Sequence, residues 1–214
     1  MTDAVATLRA EVCALHQELR RNGLVAWTSG NLSARVPGED LMVIKASGIP
    51  YDDLDPDAVV VCDLTGDLAP SSDAAAHGVV YREMPDVGGV AHTHSPYATA
   101  HAIHGAPIPC VMTAMADEFG GEIPVGPFAL IGDDSIGQGI VSTLKDHRSR
   151  AVLMRNHGPF TVGEDARAAV KAAVMLEDVA RTVHIARQLG DPVSIAPGDV
   201  DLLHARYQNV YGQC

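Results

Sequence analysis

The stretch VAHTHSPYATA, residues 90–100, sets His92 and His94 one residue apart at the end of an apolar run. On an extended strand alternate side chains share a face, so both imidazoles project the same way from Cα atoms about 7 Å apart. On a helix the same spacing sends them to nearly opposite sides, and the VGGV that precedes them favours the strand. Two imidazoles on one face can grip a cation. The segment RNHGPF supplies a third, His157, just after the apolar run AVLM. Three neutral imidazoles with one open position are the usual catalytic zinc arrangement. His101 and His104 compete for the third place, since i, i+3 on a helix also converges on one face. We read those two, with His77, His147 and His184, as packing residues. Asp73 is a fourth ligand or an outer carboxylate that orients an imidazole.

Two further clusters bring polar groups to element ends. KASG, Lys45 to Gly48, follows LMVI and offers a cation, a hydroxyl and an unhindered backbone N–H. PSSD sets Ser71 and Ser72 at a helix start, where free N–H groups and the helix dipole favour an anion. Each has a plain alternative, an exposed loop lysine and an ordinary N-cap. Together they would hold a phosphate beside the metal, linked to it through Asp73.

The elements that must position these residues follow from periodicity. Residues 3–23 read as a helix, with Leu8, Val12, Leu15 and Leu19 on one face, Asp3 as cap and Gly23 as terminator. NLSARV and LMVIKASG flank the polar turn PGED as a hairpin. AVVVCDL is a strand, PSSDAAAHGVVYREM a helix capped by Ser71 or Ser72, and VGGVAHTHS a strand. PYATAHAIHG is a short helix with proline in its first turn. SIGQGIVSTLKDH is a helix, AVLMRNHG a strand, and residues 165–190 a long helix stopped by Gly190. The tail starts as a helix near Asp199. Helices alternating with strands imply an α/β layered domain, and the early hairpin makes a purely parallel sheet unfavoured. With no repeat and no long Pro/Gly linker, residues 1–214 read as one domain.

Composition narrows the functions. Fifteen basic against 27 acidic residues give a net charge of −12, a surface that repels nucleic acid and anionic membrane. Any phosphate must therefore be held in a local pocket. Cys13, Cys62, Cys110 and Cys214 are scattered without a Cys-x-x-Cys pair, which fits reduced thiols and a cytoplasmic location. The N-terminus has no basic-then-apolar leader. Residues 95–116 contain no Asp, Glu, Lys or Arg, but three prolines and a glycine interrupt them; they read as buried or interfacial rather than membrane-spanning. Neither a dinucleotide-binding glycine motif nor a P-loop is present.

TSGNLS, VIKASG, PSSD, HTHS, NHGPF and the terminal YGQ, in this order and spacing, resemble the class II aldolase/epimerase superfamily. The similarity runs from about Gly23 to the C-terminus and is greatest to its L-ribulose-5-phosphate 4-epimerase branch. The resemblance implies a three-layer α/β/α sandwich with a mixed, largely antiparallel central sheet. It implies a homotetramer with active sites between subunits, and zinc, with manganese or cobalt as alternatives, on His92, His94 and His157. Asn31, Lys45, Ser47, Gly48, Ser71 and Ser72 match the family's phosphate pocket. Asp117 matches one catalytic acid/base and Tyr211 the other, contributed across the interface. Asp73 stands where aldolases of the superfamily carry glutamate and epimerases aspartate. The implied reaction is retro-aldol cleavage of C3–C4 in a ketose phosphate, followed by re-addition; an aldolase of the L-fuculose-1-phosphate type would release the aldehyde instead. Pro96 and Tyr97 depart from the basic pair of the epimerases. A metal-free scaffold domain is the reading from another class, and retention of the histidines, Asp117 and Tyr211 argues against it.

Overall fold

Successive side chains of the central strands enter different cores, which explains why these strands are buried throughout. The computed structural model describes residues 3–65 and 72–209. In β4 (Gly89–His92) Val90 joins one hydrophobic cluster and Ala91 another; in β6 (Ala151–Met154) Val152 and Met154 face one side, Ala151 and Leu153 the other. Strands covered on both faces read as continuous apolar runs rather than alternating ones. The first face is covered by α2 (Ala74–Glu83) and α5 (Ser135–Leu144), with Val80, Tyr81, Ile136 and Ile140 in its core. The second is covered by α1 (Asp3–Arg21) and α6 (Ala166–Leu189). There α3 (Pro96–His104) and α4 (Thr113–Phe119) extend the layer over β6.

Among the described residues the sheet has seven strands in the order β3-β2-β1-β4-β7-β6-β5. The hairpin at PGED forms as expected: β1 (Asn31–Arg35) pairs antiparallel with β2 (Leu41–Lys45), Ser33 facing Ile44. β3 (Val59–Asp63) follows on the outer edge, and β4 lies antiparallel between β1 and β7 (Gly158–Gly163). Only β5 (Val125–Gly126) runs parallel to its neighbour, β6. The architecture is the mixed, largely antiparallel α/β arrangement that the resemblance implies.

Two boundaries and two elements differ from the sequence reading, each for a local reason. α2 begins at Ala74 with Asp73 at its N-cap, and Asp73 makes no capping bond, because its carboxylate is drawn into the site. Ser72 lies in the turn before the helix; Ser71 lies outside the described residues. The AVLM strand stops at Met154, and Arg155–His157 form the tight turn into β7. That strand escaped the sequence reading because Gly158, Pro159 and Gly163 hide its signature. α4 escaped it as well, being seven residues long and opened by Met112 rather than a polar cap. The final helix, α7 (Pro197–Asn209), packs on α4. No helix among the described residues is long and apolar enough to cross a membrane.

Candidate metal centre and anion pocket

His92 ends β4, and His94 lies two residues on, in the loop, with its N–H donating to the Leu24 carbonyl at 3.1 Å. His157 reaches the same place from the β6–β7 turn. That turn needs Asn156 at φ 58°, a left-handed conformation asparagine tolerates better than most side chains. It also needs Gly158: a Cβ there would stand 2.8 Å from the Thr93 carbonyl oxygen and 3.4 Å from His92 Cε1. The result is a convergent triad. Ring nitrogens of His92, His94 and His157 lie within 4.8 Å of one another, and the Nε2 atoms of His92 and His94 are 2.9 Å apart.

The donor chemistry fits a divalent transition ion. His92 Nδ1 is 3.0 Å from the Pro159 carbonyl, to which it can only donate, so its Nε2 carries the lone pair. Phe160 stacks on the same ring at 4.1 Å and 13°. Burial lowers all three imidazoles, His92 to about 3, so each is neutral near pH 7 and competent to ligate. His157 Nδ1 is buried without a partner among the described residues. Asp73 does not join the triad. Its Oδ2 accepts from Asn31 Nδ2 at 2.7 Å; among the described residues its Oδ1 and Asn31 Oδ1 have no hydrogen-bond partner. Burial pushes the Asp73 carboxyl up, yet His92, His77 and the Asn31 amide outweigh it and hold it below its ordinary value.

These groups line one pocket of about 220 Å³, together with Thr28, Ser29, Gly30, Lys45, Ala46, Ser47, Ser72 and Ile131. Gly30, at φ 76°, allows the approach of the 26–30 turn; a Cβ there would meet the His92 carbonyl oxygen at 2.8 Å. Tyr51 clamps the same turn by donating to the Ser29 carbonyl at 3.0 Å. Lys45 is 2% exposed, and its Nζ contacts the Thr28 and Ala46 carbonyls, at 3.4 and 3.3 Å, and lies over the Tyr51 ring, 5.4 Å from its centre. Burial lowers its pKa, and no carboxylate faces it among the described residues. A buried ammonium in that state is a ready partner for an anion.

The other expected site residues are more dispersed. Gly48 adopts φ 76° beyond Ser47 but does not line the pocket. Asp117, half-buried on α4, lies outside the pocket lining; its carbonyl accepts from His204 Nδ1 of α7 at 3.1 Å. Ser71 and Tyr211 fall outside the described residues. Tyr97 turns away towards α6, its ring 5.5 Å from His184 and near Arg181. Sequence reasoning missed Glu177. Its carboxylate accepts from the N–H groups of Tyr97 and Ala98 at 3.0 and 2.9 Å, pinning the start of α3 just after His94. Nothing in the middle of a long helix sequence marks such a residue.

The fold and this donor set define a class II aldolase-type protein, and the sequence places the chain accordingly. Residues 10–184 match the class II aldolase and adducin N-terminal domain family, to which the chain belongs. Among named relatives it is similar to L-ribulose-5-phosphate 4-epimerase UlaF of Salmonella paratyphi B, 36% identical over 96% of this chain and 95% of that one. Among solved structures it resembles an L-fuculose 1-phosphate aldolase (TM-score 0.87, 25% identity, 94% of this chain and 96% of that one). The L-fuculose-1-phosphate aldolase of Thermus thermophilus gives a TM-score of 0.75 at 26% identity, covering 88% of this chain and 99% of that one.

Proposed function

We propose that this chain is a divalent-metal-dependent sugar-phosphate epimerase acting on L-ribulose 5-phosphate, cytoplasmic and assembled as a homotetramer with its active sites between subunits. The observation that carries the reading is the neutral histidine triad sharing one pocket with a buried Lys45 that faces no carboxylate among the described residues. His92, His94 and His157 would hold the ion, zinc by choice of donors, with manganese or cobalt as alternatives. When bound, the ion supplies Lewis acidity to the ketose oxygens.

The chain's own groups do the rest. Lys45, Ser47, Gly48, Ser71, Ser72 and the Asn31 amide grip the phosphate. One of Asp117 and Tyr211 takes the C4 hydroxyl proton as the C3–C4 bond breaks, giving glycolaldehyde phosphate and a three-carbon fragment. The phosphate grip retains the aldehyde while it presents its other face, and the second acid/base returns a proton to the C4 oxygen after the bond reforms. Asp73, ionised and tied to Asn31, keeps the pocket wall polar and negative beside the histidines. Similarity to the epimerase UlaF over nearly the whole chain supports epimerisation over aldehyde release.

A second reading, an aldolase acting on a short ketose phosphate, is favoured by the backbone likeness to the L-fuculose 1-phosphate aldolase. The deciding experiment incubates the metal-loaded protein with L-ribulose 5-phosphate and follows both products. D-xylulose 5-phosphate without free glycolaldehyde phosphate is the expected result; accumulation of the aldehyde gives the aldolase reading instead.

A further inference from the structure

Polar bonds rather than burial attach α7 to the rest of the chain. Of its side chains only Val200 is buried. Asp201, near its start, pairs with Arg148, and His204 Nδ1 donates to the Asp117 carbonyl at 3.1 Å. About one turn further on, Tyr207 Oη donates to Glu118 Oε2 at 3.0 Å. Lys171 of α6 closes the group: its Nζ is 2.7 Å from the same Glu118 oxygen and 2.6 Å from the Tyr207 hydroxyl. Three helices thus meet on one carboxylate oxygen.

The Glu118 side chain is 6% exposed, against 51% for Lys171. Taking a carboxylate out of water is costly, and an apolar side chain in its place would bind the helices at least as well. What a carboxylate adds is direction, because its bonds hold only over a narrow range of angles. Burial lowers the Lys171 pKa, yet the bonds to Glu118 and Tyr207 outweigh it and hold the ammonium above its ordinary value, so the amine is charged near pH 7. α4 has need of such direction. It is seven residues long, and Met112 at its N-cap offers no side-chain bond. A helix of two turns is weak without outside contacts. Adjacent residues on a helix point about 100° apart, so a fixed Glu118 also fixes the bearing of Asp117 beside it. At the other end of the group, Tyr207 precedes Tyr211 by four residues.

We propose that Glu118, Lys171 and Tyr207 form a clasp that positions Asp117 and the C-terminal segment bearing Tyr211. All three are positioning residues, and none lines the histidine pocket. The consequence for turnover rests on the epimerase reading and its use of Asp117 and Tyr211; the clasp itself does not.

Hydrogen–deuterium exchange of the full-length, metal-loaded protein reads the clasp directly. Tyr207→Phe removes one hydroxyl and leaves Glu118 paired with Lys171, while Lys171→Met removes the cation. Each should speed exchange of the α7 amides roughly tenfold, the lower end of the worth of a hydrogen bond to a charged group, and leave β4 and β6 unchanged. Wild-type exchange of α7 in both variants overturns the proposal. Equal acceleration in the sheet would assign these bonds to global stability and overturn it as well. Kinetics supply the second arm. Both variants should keep their metal and a KM within about twofold of wild type while kcat falls roughly tenfold. The double variant should lose no more than the worse single one, because both bonds act through Glu118. Losses that multiply would refute a shared clasp, and an unchanged kcat in all three would refute the positioning role. Absence of turnover in the wild type would overturn the epimerase reading and leave the exchange result to decide the clasp.

Discussion

Lys45 shows most plainly how one residue's surroundings select a ligand. An ammonium at 2% exposure, held by two long carbonyl contacts and a distant Tyr51 ring, is costly in the ligand-free protein. Its replacement should therefore not destabilise. Lys45→Met is expected to keep or raise the urea midpoint, leave bound metal unchanged, and raise KM for the sugar phosphate by roughly 10–100-fold, the worth of a lost hydrogen bond to a charged group, about 1.5–3 kcal/mol. A large loss of stability with unchanged KM would assign Lys45 to the fold instead. The triad makes the complementary prediction: His94→Ala should lose the metal, measured by plasma emission, and all turnover, whereas Asp117→Asn should retain the metal and lose most of kcat. Normal turnover in Asp117→Asn would remove it from the reaction. At this scale the sequence was highly legible, because HTHS, NHG and KASG each mark an element end where short spacing dictates proximity. The depth of Lys45 and the diversion of Asp73 from capping to Asn31 were not legible, since both depend on partners 17 to 42 residues away.

Elements were legible in proportion to their length and regularity. The long helices and the strand before HTHS followed from periodicity, whereas β7 and α4 did not, one disguised by glycine and proline and the other too short for a period to repeat. Junctions between elements are equally hidden in sequence, and His16 is the clearest. It is fully buried in α1, its Nδ1 donating to the Val12 carbonyl at 2.7 Å while its Nε2 accepts from the Leu32 N–H of β1 at 3.1 Å. Only the neutral ring can make both bonds. Burial lowers its pKa from 6.5 to about 4, so between those values the unfolded chain binds the extra proton and the folded chain does not. Stability that is complete above about 6.5 therefore falls as pH drops through this window and levels off near 4. His77 adds a contribution of the same sign. Urea titrations at pH 7 and pH 5 should show a lower midpoint at pH 5. In His16→Gln the midpoint should fall at pH 7 and the pH difference should shrink; an undiminished difference would exclude His16 as a source.

For the whole molecule, what one chain brings together matters as much as what it leaves apart. The pocket gathers the three histidines, Asp73, Asn31, Lys45, Ser47 and Ser72, yet Asp117 lies outside its lining and Ile131, on its rim, is 61% exposed beside the exposed Phe128 and Leu130. A pocket with an apolar, uncovered rim is suited to completion by a second copy, as the proposed tetramer requires. Such assembly was legible in the sequence only through the family resemblance, because no periodicity within a chain encodes what covers its surface. Subunit mixing can test it. If each site takes its histidines from one subunit and Tyr211 from the next around a fourfold ring, His94→Ala and Tyr211→Phe homotetramers should both be nearly inactive. Co-expressed in equal amounts, they should form hybrids in which about one site in four combines an intact triad with an intact tyrosine, restoring roughly a quarter of wild-type turnover. A site built within one chain can never be repaired this way, since every subunit carries one defect. Hybrids verified by native mass spectrometry but as inactive as their parents would therefore rule out a tyrosine shared across the interface.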